Sequence, residues 1–95
     1  MRIAIVDDLV NERALLRNRL EQALNGRSVQ TDICEYANGE AFIQAAEKQR
    51  FSAAFLDIYM PGANGIDTAQ ALRAFDPDCL LIFTCLLYTS PSPRD

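Results

Sequence analysis

Two aspartates, Asp7 and Asp8, close the apolar run Ile3-Ala4-Ile5-Val6, and a third, Asp57, closes the run Ala53-Ala54-Phe55-Leu56. Runs this short and bounded read as buried parallel strands with carboxylates at their C-terminal ends. Open α/β sheets place their ligand sites at that edge. Carboxylates gathered there repel one another, which raises the pKa of at least one. They suit a hard divalent cation and phosphoryl chemistry, in which a carboxylate can attack phosphorus. Taken singly, each acid has a plainer explanation. Asp7 and Asp8 precede a helix, where acids cap N–H groups and suit the dipole. Asp57 enters a loop, a common place for aspartate. Chemistry needs all three together, so the fold must bring them together.

The pattern along the chain supplies such a fold. Arg2 to Val6 reads as a strand. Asn11 to Asn25 reads as a helix with Leu16, Leu20, Ala23 and Leu24 on one stripe, stopped at Asn25-Gly26 by a glycine free to take a left-handed cap. Val29 to Tyr36 reads as a second strand. Asn38 can cap a helix over Gly39 to Gln49 that turns Phe42, Ala45 and Ala46 inward. Phe51 to Asp57 is a third strand, and Met60 to Gly65 a Pro- and Gly-containing loop. Ile66, Ala69 and Leu72 mark a short helix ending near Phe75, Asp76-Pro77 forces a turn, and Cys79 to Phe83 is a fourth strand. Strands alternating with helices predict an α/β fold, a doubly wound parallel sheet with right-handed crossovers. With the first strand between the second and third, the topological switch point lies between the strands that end in Asp7-Asp8 and Asp57.

Bulk properties narrow the classes. At 95 residues the chain holds one small domain, and 49% hydrophobic with 23% charged residues suits a globular one. A net charge of −4 argues against nucleic-acid binding by this segment's own field. No apolar stretch is long enough to span a membrane, and Met1-Arg2-Ile3 enters a strand at once without a signal-peptide core, so a cytoplasmic protein without membrane association is expected. Cys34, Cys79 and Cys85 show no metal-type spacing and read as reduced thiols. Without histidine the chain has no histidine-based triad and no histidine-ligated zinc.

After Thr84 the text changes character. Residues 85–95, Cys85-Leu86-Leu87-Tyr88-Thr89-Ser90-Pro91-Ser92-Pro93-Arg94-Asp95, have no helical period and resemble, codon for codon, the in-frame translation of a transposase sequencing adapter. The expected organisation is therefore a partial domain, truncated at its C-terminus, over residues 1–84 and an artefactual tail over 85–95.

Ile5-Val6-Asp7-Asp8, then Leu56-Asp57-Ile58-Tyr59-Met60-Pro61 with Asn64-Gly65, then Ile82-Phe83-Thr84, resemble the receiver domain of bacterial two-component response regulators. The resemblance covers Met1 to Thr84 and implies the flavodoxin-like receiver fold. It implies a phosphoacceptor regulatory domain rather than an enzyme, with Asp57 accepting a phosphoryl group from a sensor histidine kinase. It further implies Mg²⁺ held by Asp8 directly, Asp7 through water, Asp57 and the Tyr59 carbonyl, with Thr84 donating its hydroxyl to the phosphoryl group. The family's fifth strand with its phosphoryl-pairing lysine, and two further helices, have no counterpart here. Lys48 is the only lysine and does not match the motif. The start of the chain and Phe75-Asp76-Pro77-Asp78 resemble receivers that precede a LytTR DNA-binding domain, which implies a downstream transcriptional effector. Two rivals remain at this point. A haloacid dehalogenase-type phosphatase would use an aspartate after the first strand but wants Asp-x-Asp, and a pseudo-receiver would bind partners without phosphorylation.

Overall fold

A computed structural model describes residues 1–25, 30–58 and 64–84. The elements are β1 (Arg2–Val6), α1 (Val10–Leu24), β2 (Asp32–Tyr36), α2 (Gly39–Lys48), β3 (Ala53–Asp57), α3 (Gly65–Arg73) and β4 (Leu80–Thr84). The strands form one parallel sheet in the order β2-β1-β3-β4. This is the doubly wound arrangement read from the sequence, with β1 at the centre beside β3.

One face of the sheet is dry. Ala4 and Val6 of β1 and Ala54 and Leu56 of β3 pack against Phe42 of α2 and Ala69 and Leu72 of α3, with Phe51 and Cys79 completing the core. The rings of Tyr36, Phe42 and Phe51 stack at tilted or edge-on angles, with centroids 5.3–6.1 Å apart, geometries aromatic pairs favour. The alternate residues Ile3 and Ile5 point to the opposite face and are also buried. That face carries α1, which has no buried residue of its own. Leu16, Leu20 and Leu24 are half-buried as their spacing predicts, whereas Ala23 is exposed. Charge adds to the helix's hold: Arg13 and Arg17 both reach Glu35 of β2, at 3.2 and 2.8 Å.

The elements begin and end for identifiable reasons. Asn38 caps α2 by accepting from the Ala41 N–H at 2.8 Å, and Asn64 caps α3 by accepting from the Asp67 N–H at 2.9 Å. The third helix therefore starts at Gly65, inside the stretch expected to be loop, and Ile66 sits on its exposed side. The second strand starts at Asp32, later than the expected Val29. β1 begins pairing at Arg2↔Asp32, and before it stands only Met1, whose carbonyl accepts the Asp32 N–H and whose terminal amine donates to the Gln30 carbonyl at 2.9 Å, so the ladder has no further residue along which to extend. The third strand starts at Ala53, where its pairing with Ile3 of β1 and Leu80 of β4 begins, rather than at Phe51. The fourth runs Leu80–Thr84, one residue beyond Phe83, because Thr84 pairs with Asp57. After α3, Asp76 turns inward and accepts from the Asp78 N–H at 3.1 Å and from Arg50 at 3.3 Å, forming the expected turn. Gly26, Val29 and the segment 85–95 lie outside the described residues. Among the described residues no helix is long and apolar enough to cross a membrane, and Cys34 and Cys79 are free thiols.

The α2–α3 contact is close enough to be tested. A Cβ on Gly39 would overlap the hydroxyl of Thr68, whose buried Oγ1 has no hydrogen-bond partner among the described residues. A glycine inside a helix ordinarily loses about 0.5–1 kcal/mol relative to alanine. Here Gly39→Ala should instead destabilise by about 1–3 kcal/mol through overpacking. Thr68→Ala should cost little alone and should recover about 1 kcal/mol of that loss in the double variant. Urea unfolding of the four proteins measures the cycle, and additive effects would refute the contact.

Candidate functional site

The C-terminal edge of β1 and β3 carries the acids. β1 ends at Val6, Asp7 follows buried, and Asp8 stands exposed in the turn into α1. Asp57 ends β3 and is buried. Because β1 and β3 are neighbours in parallel register, with Val6 opposite Leu56, the acids that follow meet at one corner. One carboxylate oxygen from each of Asp7, Asp8 and Asp57 lies within 4.8 Å of the other two. The convergence expected from the sequence is thus realised. An oxygen-only donor set of this size and charge suits a hard divalent cation.

Asp7 is the most constrained member. Its Oδ1 accepts from the Leu9 N–H at 2.9 Å, while Oδ2 is buried without a hydrogen-bond partner among the described residues. Its main chain is held on both sides: the Asp7 N–H donates to the Tyr36 carbonyl at 3.1 Å, and Arg13 Nη1 donates to the Asp7 carbonyl at 2.7 Å. Burial pushes the Asp7 carboxyl up to about 6, opposed by the Leu9 N–H and reinforced by the negative charges of Asp57 and Asp8. Mutual repulsion was the cause expected from the sequence, and the structure makes burial the larger one. A buried carboxylate oxygen without a hydrogen-bond partner among the described residues, beside two further carboxylates, suits a bound cation.

Thr84 lies one strand further along. It pairs with Asp57 in register, and its Oγ1 donates to the Leu56 carbonyl at 3.5 Å, at the weak limit of a hydrogen bond. Tyr59, expected to supply a carbonyl ligand, lies outside the described residues, as do Met60 and Pro61. Of two further residues at the site, the sequence marks Gly65 only as part of the loop and its motif and does not single out Arg13. Gly65 opens α3 so close to β3 that a Cβ there would stand 2.5 Å from the Asp57 carbonyl oxygen. Its signal was present in Asn64-Gly65, a capping residue followed by the smallest residue. Arg13 was passed over as part of a polar helix face, and its only signal is a basic residue in the first turns of the helix that follows the acid pair.

A family model described as response regulator receiver domain matches residues 3–90, which includes the first residues of the segment set apart as a tail. The chain is 34% identical over 65 residues to the nitrate/nitrite response regulator protein NarL of Escherichia coli K12, covering 68% of this chain and 30% of NarL. It is 38% identical over 55 residues to the sensory transduction protein LytT of Oceanobacillus iheyensis, covering 55% of this chain and 22% of LytT. The match therefore spans about a third or less of these relatives. Among solved structures, the response regulator TrrA of Thermotoga maritima in complex with Mg²⁺-BeF superposes with a TM-score of 0.78 at 30% identity, covering 93% of this chain and 70% of that one. TrrA bound to the histidine kinase ThkA superposes at 0.72, also at 30% identity, covering 99% and 74%.

The raised Asp7 pKa carries a signed consequence. Folded Asp7 holds its proton up to about pH 6, against 3.8 for the ordinary carboxyl. Its contribution to stability is therefore full below pH 4 and is lost as pH rises through 6. In chelator-treated buffer, Asp7→Asn should be more stable than the parent by roughly 1–3 kcal/mol at pH 7.5, with the advantage fading toward pH 4. Urea midpoints across that range measure it, and an advantage independent of pH would contradict the assignment.

Proposed function

The chain belongs to the response regulator receiver domain family, and we propose that it receives a phosphoryl group on Asp57 and holds Mg²⁺ with Asp7, Asp8, Asp57 and the Tyr59 carbonyl. A receiver is a regulatory phosphoacceptor rather than an enzyme acting on a separate substrate. The observation that carries the proposal is the meeting of Asp57 with Asp7 and Asp8 within 4.8 Å at the switch point of the sheet.

In this reading an Asp57 carboxylate oxygen attacks phosphorus in line, the bond from phosphorus to the donor breaks, and the donor leaves with the electron pair. Bound Mg²⁺ neutralises charge on the phosphoryl oxygens and offsets the repulsion among the acids. Asp8, exposed at the rim, supplies a direct ligand; Asp7, buried with one oxygen unpartnered, bonds through water. The Thr84 hydroxyl exchanges its long contact with the Leu56 carbonyl for a charged phosphoryl oxygen, a stronger acceptor. The proposed donor is a sensor histidine kinase, supported by the likeness to TrrA, which has been seen bound to ThkA. A DNA-binding effector of the LytTR type downstream is the proposed output, on the resemblance of the start of the chain and of Phe75-Asp76-Pro77-Asp78 to receivers that precede such a domain. The organisation proposed is a receiver over residues 1–84 with 85–95 foreign to it.

Acetyl phosphate with Mg²⁺ should add one phosphoryl mass to the protein, and Asp57→Asn should abolish it while leaving the far-UV circular dichroism unchanged. Asp8→Ala should raise the Mg²⁺ requirement by roughly tenfold or more, with Asp7→Ala the milder change. Unchanged labelling of Asp57→Asn would sink the acceptor assignment, and mapping of the label to Asp7 would favour phosphatase-like chemistry. Equal labelling in excess chelator would sink the metal.

A further inference from the structure

Arg13, in the first turns of α1, bonds β1 and β2 at once. Its Nη1 donates to the Asp7 carbonyl at 2.7 Å, and its Nε donates to Glu35 Oε1 at 3.2 Å. Glu35 is itself held from the other side by Arg17 Nη1 at 2.8 Å. The Arg13 side chain is only 15% exposed, so neither bond is a loose surface contact. The carbonyl it grips matters because of what shares its plane. The Asp7 carbonyl and the Asp8 N and Cα belong to one rigid peptide unit. Fixing that oxygen fixes the Asp8 Cα, the atom from which its side chain departs. The Asp7 N–H is already committed to Tyr36, so with the Arg13 bond the Asp7 main chain is held at both its N–H and its carbonyl.

We infer that Arg13 is a positioning residue for the acidic pocket: anchored on Glu35, it pins the Asp7–Asp8 peptide plane and so sets the spacing of the Asp8 carboxylate to Asp7 and Asp57. The inference rests on the metal-binding reading given above. It differs in sign from what charge alone would do. Removing the positive charge that sits on the Asp7 carbonyl strengthens the pull of the acids on a cation, whereas loosening the corner weakens it.

Mg²⁺ titration calorimetry on the protein and three variants separates these effects, with circular dichroism confirming that each is folded at the temperature used. Arg13→Gln should weaken Mg²⁺ binding about tenfold, the scale on which groups that orient metal ligands act. Arg13→Lys should fall between, because a point donor reaches one of the two acceptors but lacks the fork. Arg17→Gln removes the same charge and one partner of Glu35 without touching Asp7, and should stay within about twofold of the parent. Labelling by acetyl phosphate at saturating Mg²⁺ should recover in Arg13→Gln. Binding by Arg13→Gln equal to or tighter than the parent would overturn the inference, as would equal weakening in Arg17→Gln, which would make the effect one of helix docking. Should Arg13→Gln fail to fold, Arg13→Lys decides between the same outcomes. A parent protein that binds no Mg²⁺ would overturn the metal reading itself and this inference with it.

Discussion

The molecule is organised around a conflict of like charges that the backbone enforces. Parallel pairing of β1 with β3, in the register Ile3↔Ala53 through Val6↔Leu56, leaves Asp7 and Asp57 no choice but to emerge side by side. Backbone hydrogen bonds and the buried alanines Ala4 and Ala54 hold the two strands together and so oppose the repulsion between their ends. The sheet thus stores an unfavourable arrangement that a cation or a proton relieves. Local cost tolerated by a well-packed surround is characteristic of functional sites.

The two faces of the sheet meet that demand with different physics. Behind the site, the aromatic cluster of Tyr36, Phe42 and Phe51 and the close α2–α3 contact at Gly39 and Thr68 give a face that resists rearrangement. Gly65 extends that rigidity to the pocket, since α3 starts against the backbone of Asp57 itself. On the other face, α1 is held by half-buried leucines and by arginines on Glu35. The exposed acid, Asp8, belongs to the turn that leads into this more loosely packed helix. A rigid acceptor beside a more adjustable rim suits a pocket that must admit a donor and then hold its product.

Much of this was legible in the residues. Short apolar runs closed by Asp7-Asp8 and Asp57 revealed both the parallel strands and the edge where the acids meet. Asn38 and Gly39 marked a capped helix at its observed start. What escaped notice depends on partners distant in sequence. The late starts of β2 and β3 follow from where their pairing with neighbouring strands begins, which no local pattern encodes. The larger cause of the raised Asp7 pKa is burial, a property of the assembled fold, rather than the repulsion visible in the spacing. Arg13 looked like any polar helix residue because its acceptors, the Asp7 carbonyl just past β1 and Glu35 in β2, come from separate parts of the chain.

A helix with no buried residue has little to lose by detaching. α1 contributes no side chain to the buried core, so its opening is the local unfolding event that takes least from that core. Yet that opening also breaks the Arg13 grip on the Asp7 carbonyl. Local unfolding of α1 and integrity of the acidic corner are therefore one linked equilibrium. Anything that binds only the closed corner slows exchange along the helix, and the state of the pocket is written into the protection of amides that never touch it.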